Sequence, residues 1–128
     1  MHYDHINVPE DGEAITVNPD HTINVPDHPI IPYIEGDGIG SDVTPVMLNV
    51  VEAAVEMAYA DRRHLRWMPV FAGQRATEVY GSDVWMPDET LDALRRYDGV
   101  VEQAFRDLQQ ELRDMEQNRP VPPAPPRP

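Results

Sequence analysis

The stretch from Pro29 to Phe71 constrains this chain most, because it reads as a strand, a turn with three glycines, a long helix and a second strand. Pro29-Ile30-Ile31-Pro32-Tyr33-Ile34 is a short apolar run of the kind that forms a buried strand. Glu35-Gly36-Asp37-Gly38-Ile39-Gly40 follows, and its glycines permit backbone conformations that other residues resist. Ser41 or Asp42 is placed to cap the next helix, and Pro45 is tolerable in a first helical turn. Val43, Val46, Met47, Val50, Val51, Ala54 and Ala58 recur at three- and four-residue spacing up to about Tyr59. That is a wide apolar face, and it calls for burial. Leu65 to Phe71 supplies the second strand. Strand, helix and strand in this order predict a βαβ unit with parallel strands, hence an α/β fold.

The flanks are simpler. Ala14–Val17 and Thr22–Val25 are rich in β-branched residues and are separated by the turn chemistry of Asn18-Pro19-Asp20-His21. They predict a β-hairpin, which should lie against a larger body because a lone hairpin is marginal in water. Pro87-Asp88-Glu89-Thr90 starts a short helix to about Tyr97, with two acids at its positive end. Val101, Ala104, Phe105, Leu108, Leu112 and Met115 form a narrow apolar stripe on a further helix, either packed over the core or docked on a partner. The expected organisation is an N-terminal arm with a hairpin (1–28), an α/β body (29–99), an amphipathic helix (100–118) and a disordered proline-rich tail (119–128) of polyproline II character.

Charge and residue usage narrow the function. The net charge is -13 and all ten basic residues are Arg, a balance that repels nucleic acid and anionic membranes. With no cysteine there is no disulfide, thiolate metal site or cysteine nucleophile. No apolar run reaches the roughly 18 residues of a membrane span, and no secretory pattern opens the chain, so the cytoplasm is expected. His2, His5, His21, His28 and His64 show no i, i+4 metal spacing. Asp88-Glu89 and Asp114/Glu116 read as helix-end and solvated charges, not as an acid/base dyad. Arg62, Arg63, Arg66, Arg95 and Arg96 read as surface residues, and Trp67 and Trp85 as packing residues. Pro122–Pro125 has the PxxP form of a groove-binding ligand, though a plain tail is the simpler reading. The glycine loop runs G-x-G-x-G into Ser41, whereas a dinucleotide fingerprint needs G-x-G-x-x-G. Glu35, Asp37 and Asp42 would also repel a pyrophosphate, so a tight packing turn fits better than a phosphate cradle.

One resemblance goes further. Pro29 to Gly40, Asp42-Val43-Thr44-Pro45, Val51 to Glu56, Val79 to Pro87 and Glu89 to Asp92, preceded by Asn24-Val25-Pro26, closely resemble the start of bacterial-type NADP-dependent isocitrate dehydrogenases. The resemblance implies part of an isocitrate/isopropylmalate dehydrogenase-like α/β fold, distinct from a Rossmann fold. It implies oxidative decarboxylation of isocitrate to 2-oxoglutarate in the tricarboxylic acid cycle, with NADP and Mg or Mn, by a homodimer. By the same resemblance the loop lies beside the cofactor, with Ile39 as the contact and Gly38 and Gly40 flanking it. Beyond Asp98 and Gly99 the match breaks. Aligning Leu108 to Leu112 puts Gln103, Phe105 and Gln109 where the family has the Ser, Asn and Arg that hold substrate. No catalytic residue and no metal ligand can therefore be assigned, and neither cofactor nor metal is expected to bind this chain alone.

Three readings follow. The chain is a truncated dehydrogenase without activity of its own, an interaction protein that binds full-length isocitrate dehydrogenase or one of its regulators, or one piece of a split enzyme. The family also buries much of this segment, so an isolated copy should expose apolar surface and self-associate or seek a partner.

Overall fold

The computed structural model describes residues 2–97 together with Gln110, Arg113 and Asp114. At its centre β3 (Ile30–Ile34) and β4 (Arg66–Val70) pair in parallel, Ile30 opposite Arg66 and Ile34 opposite Val70. The helix α1 (Gly40–Tyr59) connects them, as the strand–helix–strand order requires. A single 3-10 turn, Ala60–Arg62, closes α1 and leads into β4. Two shorter helices complete the body, α2 (Gln74–Tyr80) and α3 (Asp88–Tyr97).

Successive strand residues point to opposite faces, and the two faces meet different neighbours. Ile30, Met68 and Val70 project to one side, where they bury with Tyr3 and Ile6 of the N-terminal arm and Ala93 of α3. Thr90 is fully buried beside them, and its hydroxyl donates to the Phe71 carbonyl (2.7 Å) and accepts from the Phe71 amide (3.2 Å). Tyr33 and Trp67 occupy the other side, edge to face at 6.0 Å between ring centroids. The Trp67 indole donates to Glu52 of α1 at 2.7 Å, so α1 covers this second face.

The first strands, β1 (Thr16–Val17) and β2 (Ile23–Asn24), form the expected antiparallel hairpin, with His21 in the left-handed region at its turn (φ 66°). The hairpin is shorter than its sequence suggested; both residues of β2 are exposed, and Val17 of β1 is half-buried. The arm is held on either side of it. Tyr3 and Ile6 enter the core, and Glu13 exchanges backbone hydrogen bonds with His28 and Ile30 at 2.9 and 2.8 Å.

Several local expectations need correction. Neither Ser41 nor Asp42 caps α1; its N-cap is Ile39, without a side-chain cap, and the Ser41 hydroxyl leans back to the Gly38 carbonyl at 3.4 Å. Pro45 falls in the second turn, sixth from the start of the helix. The polar stretch after β4 contains α2, which residue spacing missed. The apolar face read on α1 is mostly the outer one. Thr44, Leu48, Val51 and Val55 turn inward, while Val43, Val46, Met47 and Val50 remain exposed. The span Gly40–Arg62 is long and apolar enough to cross a bilayer by length and composition, although Glu52 and Glu56 lie within it. Trp85 packs poorly, with 60% of its surface exposed. Gln110, Arg113 and Asp114 are helical, and the Gln110 amide donates to Asp114 at 2.9 Å. The remainder of the expected 100–118 helix, with Gln103, Phe105 and Gln109, and the 119–128 tail lie outside the described residues.

Candidate functional site

Ligands of open α/β sheets gather outside the carboxyl ends of the strands. Here those ends are Ile34 and Val70, and a crevice of about 220 Å³ opens between them, lined by Tyr33, Glu35, Gly36, Phe71 and Arg75 among others. The glycine loop forms its rim. Gly36 (φ 79°) and Gly38 (φ 60°) take left-handed backbone that other residues rarely adopt. Gly40 answers a different need: a Cβ there would collide with the Glu35 carbonyl, so the first turn of α1 packs directly on the end of β3. The Thr44 hydroxyl fixes the same carbonyl at 2.8 Å. Replacing Gly40 with Ala should cost about 1–3 kcal/mol through this overlap. Urea titration checks it, and an unchanged midpoint would remove the close-packing account of this glycine.

The loop carboxylates are engaged within the chain. Glu35 pairs with Arg75 at 3.2 Å. Both Asp37 oxygens accept from the Gln74 amide, at 2.9 and 3.1 Å, and so satisfy a free donor at the start of α2. Gly73, just before it, has φ 67°, and a Cβ there would strike the Asp37 carboxylate. Asp37 and Arg75 are thus the clamps of this loop, and sequence reading missed both roles. The partners of Asp37 lie 37 residues away, beyond any spacing rule. Ile39 points outward with 75% of its surface exposed. Gly38 has open space where a side chain would be. The rim therefore offers a bare apolar side chain and approachable backbone, a contact for a flat or apolar ligand surface rather than a nest for phosphate.

A second polar cluster ties the arm to the body. Glu89, in the first turn of α3, accepts the Asp4 and His5 amides and the Tyr80 hydroxyl (2.6 Å). His5 Nδ1 lies 3.6 Å from the same carboxylate, and its ring rests 4.3 Å from that of Tyr80. Partial burial works against the charge of Glu89, but the Tyr80 hydroxyl and the two amides outweigh it and hold the carboxyl below its ordinary range. Glu89 is at the helix end as expected, yet it is not a solvated charge. Next to it the Tyr3 hydroxyl donates to Asp92 at 2.7 Å.

The arginines read as surface residues mostly carry local partners. Arg63 pairs with Asp27 at 3.3 Å, Arg96 with Asp92 at 3.7 Å, and Arg62 donates to the Tyr59 carbonyl at 3.2 Å. Arg66 is more enclosed than expected, 28% exposed and 2.8 Å from Asp11. His28 and His64 stack at 5.8 Å between centroids, and His28 Nδ1 is buried without a hydrogen-bond partner among the described residues.

No family model matches this sequence. Individual relatives do. The chain is 58% identical over 99 residues to an isocitrate dehydrogenase [NADP] of Coxiella burnetii, covering 77% of this chain and 23% of that protein. It is 58% identical over 97 residues to that of Pseudomonas aeruginosa, with 76% and 23% covered. An archaeal relative, isocitrate dehydrogenase [NADP] of Haloferax volcanii, is 46% identical over 98 residues, with 76% and 22% covered. The chain spans about a quarter of the length of the curated relatives it matches.

Proposed function

We propose, for a chain that carries the N-terminal segment of the NADP-dependent isocitrate dehydrogenases, that it supplies the cofactor-side rim of that enzyme's fold and does not oxidise isocitrate by itself. The observation that carries this reading is the state of the arginines. Isocitrate brings three carboxylates, and desolvating them takes several convergent cations. Arg63, Arg66, Arg75 and Arg96 instead each face a carboxylate of this same chain, at separate places on the fold. No catalytic residue and no ligand for Mg or Mn is assigned to it.

In this reading Ile39, with Gly38 and Gly40 beside it, lies against NADP through apolar and backbone contact once the rest of a site is present. Its exposure and the open space at Gly38 support that role. A cytoplasmic location accords with it. The second reading is an interaction protein that engages full-length isocitrate dehydrogenase or one of its regulators, or that self-associates. The outer face of α1, apolar and exposed among the described residues, favours it.

The test is isocitrate-dependent NADPH formation by the purified chain, alone and then mixed with a full-length isocitrate dehydrogenase. We expect no turnover by the chain alone, and turnover there would refute the reading. A dose-dependent change in the full-length enzyme would select the interaction role, and no change would leave a segment without activity of its own.

A further inference from the structure

Two histidines from separate parts of the chain stack at the root of the hairpin. His28 closes the N-terminal arm just before β3, and His64 lies between the 3-10 turn and β4. Their ring planes are 11° apart, with 5.8 Å between centroids. His64 is exposed, whereas His28 is half-buried, its Nδ1 enclosed and without a hydrogen-bond partner among the described residues. Both ends of the hairpin are anchored at this spot. The Glu13 amide donates to the His28 carbonyl at 2.9 Å, the His64 amide to the Asp27 carbonyl at 3.1 Å, and the Arg66 amide to the Pro29 carbonyl at 2.9 Å.

We propose that the His28–His64 stack is an acid-opened latch, which holds the root of the hairpin to the body while the rings are neutral and releases it when both are charged. Histidine changes charge close to neutrality. A neutral His28 can leave Nδ1 bare by carrying its hydrogen on Nε2, but an imidazolium carries N–H on both nitrogens. Charging His28 therefore encloses a donor without an acceptor and sets it across the stack from a second cation. The surrounding charges leave that cost in place. Asp11 feels the field of His28 but pairs with Arg66 at 2.8 Å, and Asp27 pairs with Arg63 at 3.3 Å. The Glu13 side chain is exposed to water. On the other ring, Glu52 and Glu56 of α1 line the same cavity as His64 and favour its proton, against Arg63 and Arg66 on that wall. His64 thus takes the first proton in contact with water, and the second, on His28, opens the latch. Its hold is complete at pH 8 and weakens as pH falls through the histidine range. The inference rests on packing at the hairpin's root and is independent of any part the chain plays in isocitrate oxidation.

The test is amide hydrogen exchange on the whole chain, taken as protection relative to the intrinsic rate at each pH. Between pH 8 and 5.5, protection of the Glu13, His64 and Arg66 amides should fall at least tenfold, while that of Met68, inside β4, holds. His28→Phe keeps a ring in the stack but takes no proton, and it should abolish the fall. His64→Phe leaves His28 titrating without the charge opposite, and the fall should shrink about threefold, the factor for unit charges roughly 6 Å apart in water. Should His28→Phe fail to fold by circular dichroism, His64→Phe decides. No fall in the parent, a full fall in folded His28→Phe, or a fall of unchanged size in His64→Phe would each overturn the latch.

Discussion

Replacing Met68 with Ala should destabilise the fold by about 3 kcal/mol, within the 2–5 kcal/mol typical of buried Met truncations. Met68 has no exposed surface and sits in the middle of β4, where it meets Ile30, Val70 and Ala93. Few side chains share that burial, so little else can close over the cavity. For a body of this size the loss lowers the melting temperature by roughly 10–20 °C. Met57→Ala is the matched control: Met57 is 90% exposed, and its loss should change stability by less than about 0.5 kcal/mol. Urea unfolding of both variants measures the difference. Near-equal midpoints would mean that the core is not centred on β4.

Those two methionines also show what the sequence could and could not disclose. Met68 was legible because Leu65 to Phe71 is a short run between polar segments, and a strand read there has to be paired and buried. The parallel partner followed from the helix between, and β3 and β4 pair in that sense. Met57 and the valines of α1 were not legible in the same way. This helix is apolar nearly all round, so three- and four-residue spacing fits two faces equally well. Thr44 decides which is inner, because its hydroxyl reaches the Glu35 carbonyl, a contact made only after the loop has folded. The rim of the candidate site divides along the same line. Its glycines announced a tight turn from sequence alone. The clamps Asp37 and Arg75 act on or from α2, a seven-residue helix too short for periodicity to reveal. Trp85 misled for a related reason: a large aromatic residue is usually packed, but residues 81–87 between α2 and α3 leave it outside.

Loss of Glu89 should have the second largest effect, because one carboxylate holds three donors from two separated parts of the chain. In Glu89→Ala the Asp4 and His5 amides and the Tyr80 hydroxyl lose their acceptor together. Water can satisfy the exposed amides, whereas Tyr80 is partly enclosed. The expected cost is therefore about 2–3 kcal/mol, less than three full charge-assisted bonds. The arm should loosen first, and Tyr3 and Ile6 would leave the core with it. Titration supplies an independent check. The folded-state pKa of Glu89 is depressed, so its contribution is complete above the unfolded carboxyl value and disappears as pH falls through the folded one. Tyr3 acts at the other end. Burial, then the hydrogen bond to Asp92, push its hydroxyl up to about 12. Its contribution is complete below pH 10, the ordinary tyrosine value, and is lost as pH rises towards 12. Tyr80 is raised as well, by burial and by Glu89, and adds to the alkaline loss. Protection of the residue 3–6 amides, measured as the exchange rate relative to the intrinsic rate at each pH, should therefore fall both in acid and between pH 10 and 12 in the parent chain. In Glu89→Ala the acid limb should flatten while the Tyr3 limb persists. An unchanged acid limb in that variant would show that some other carboxylate secures the arm.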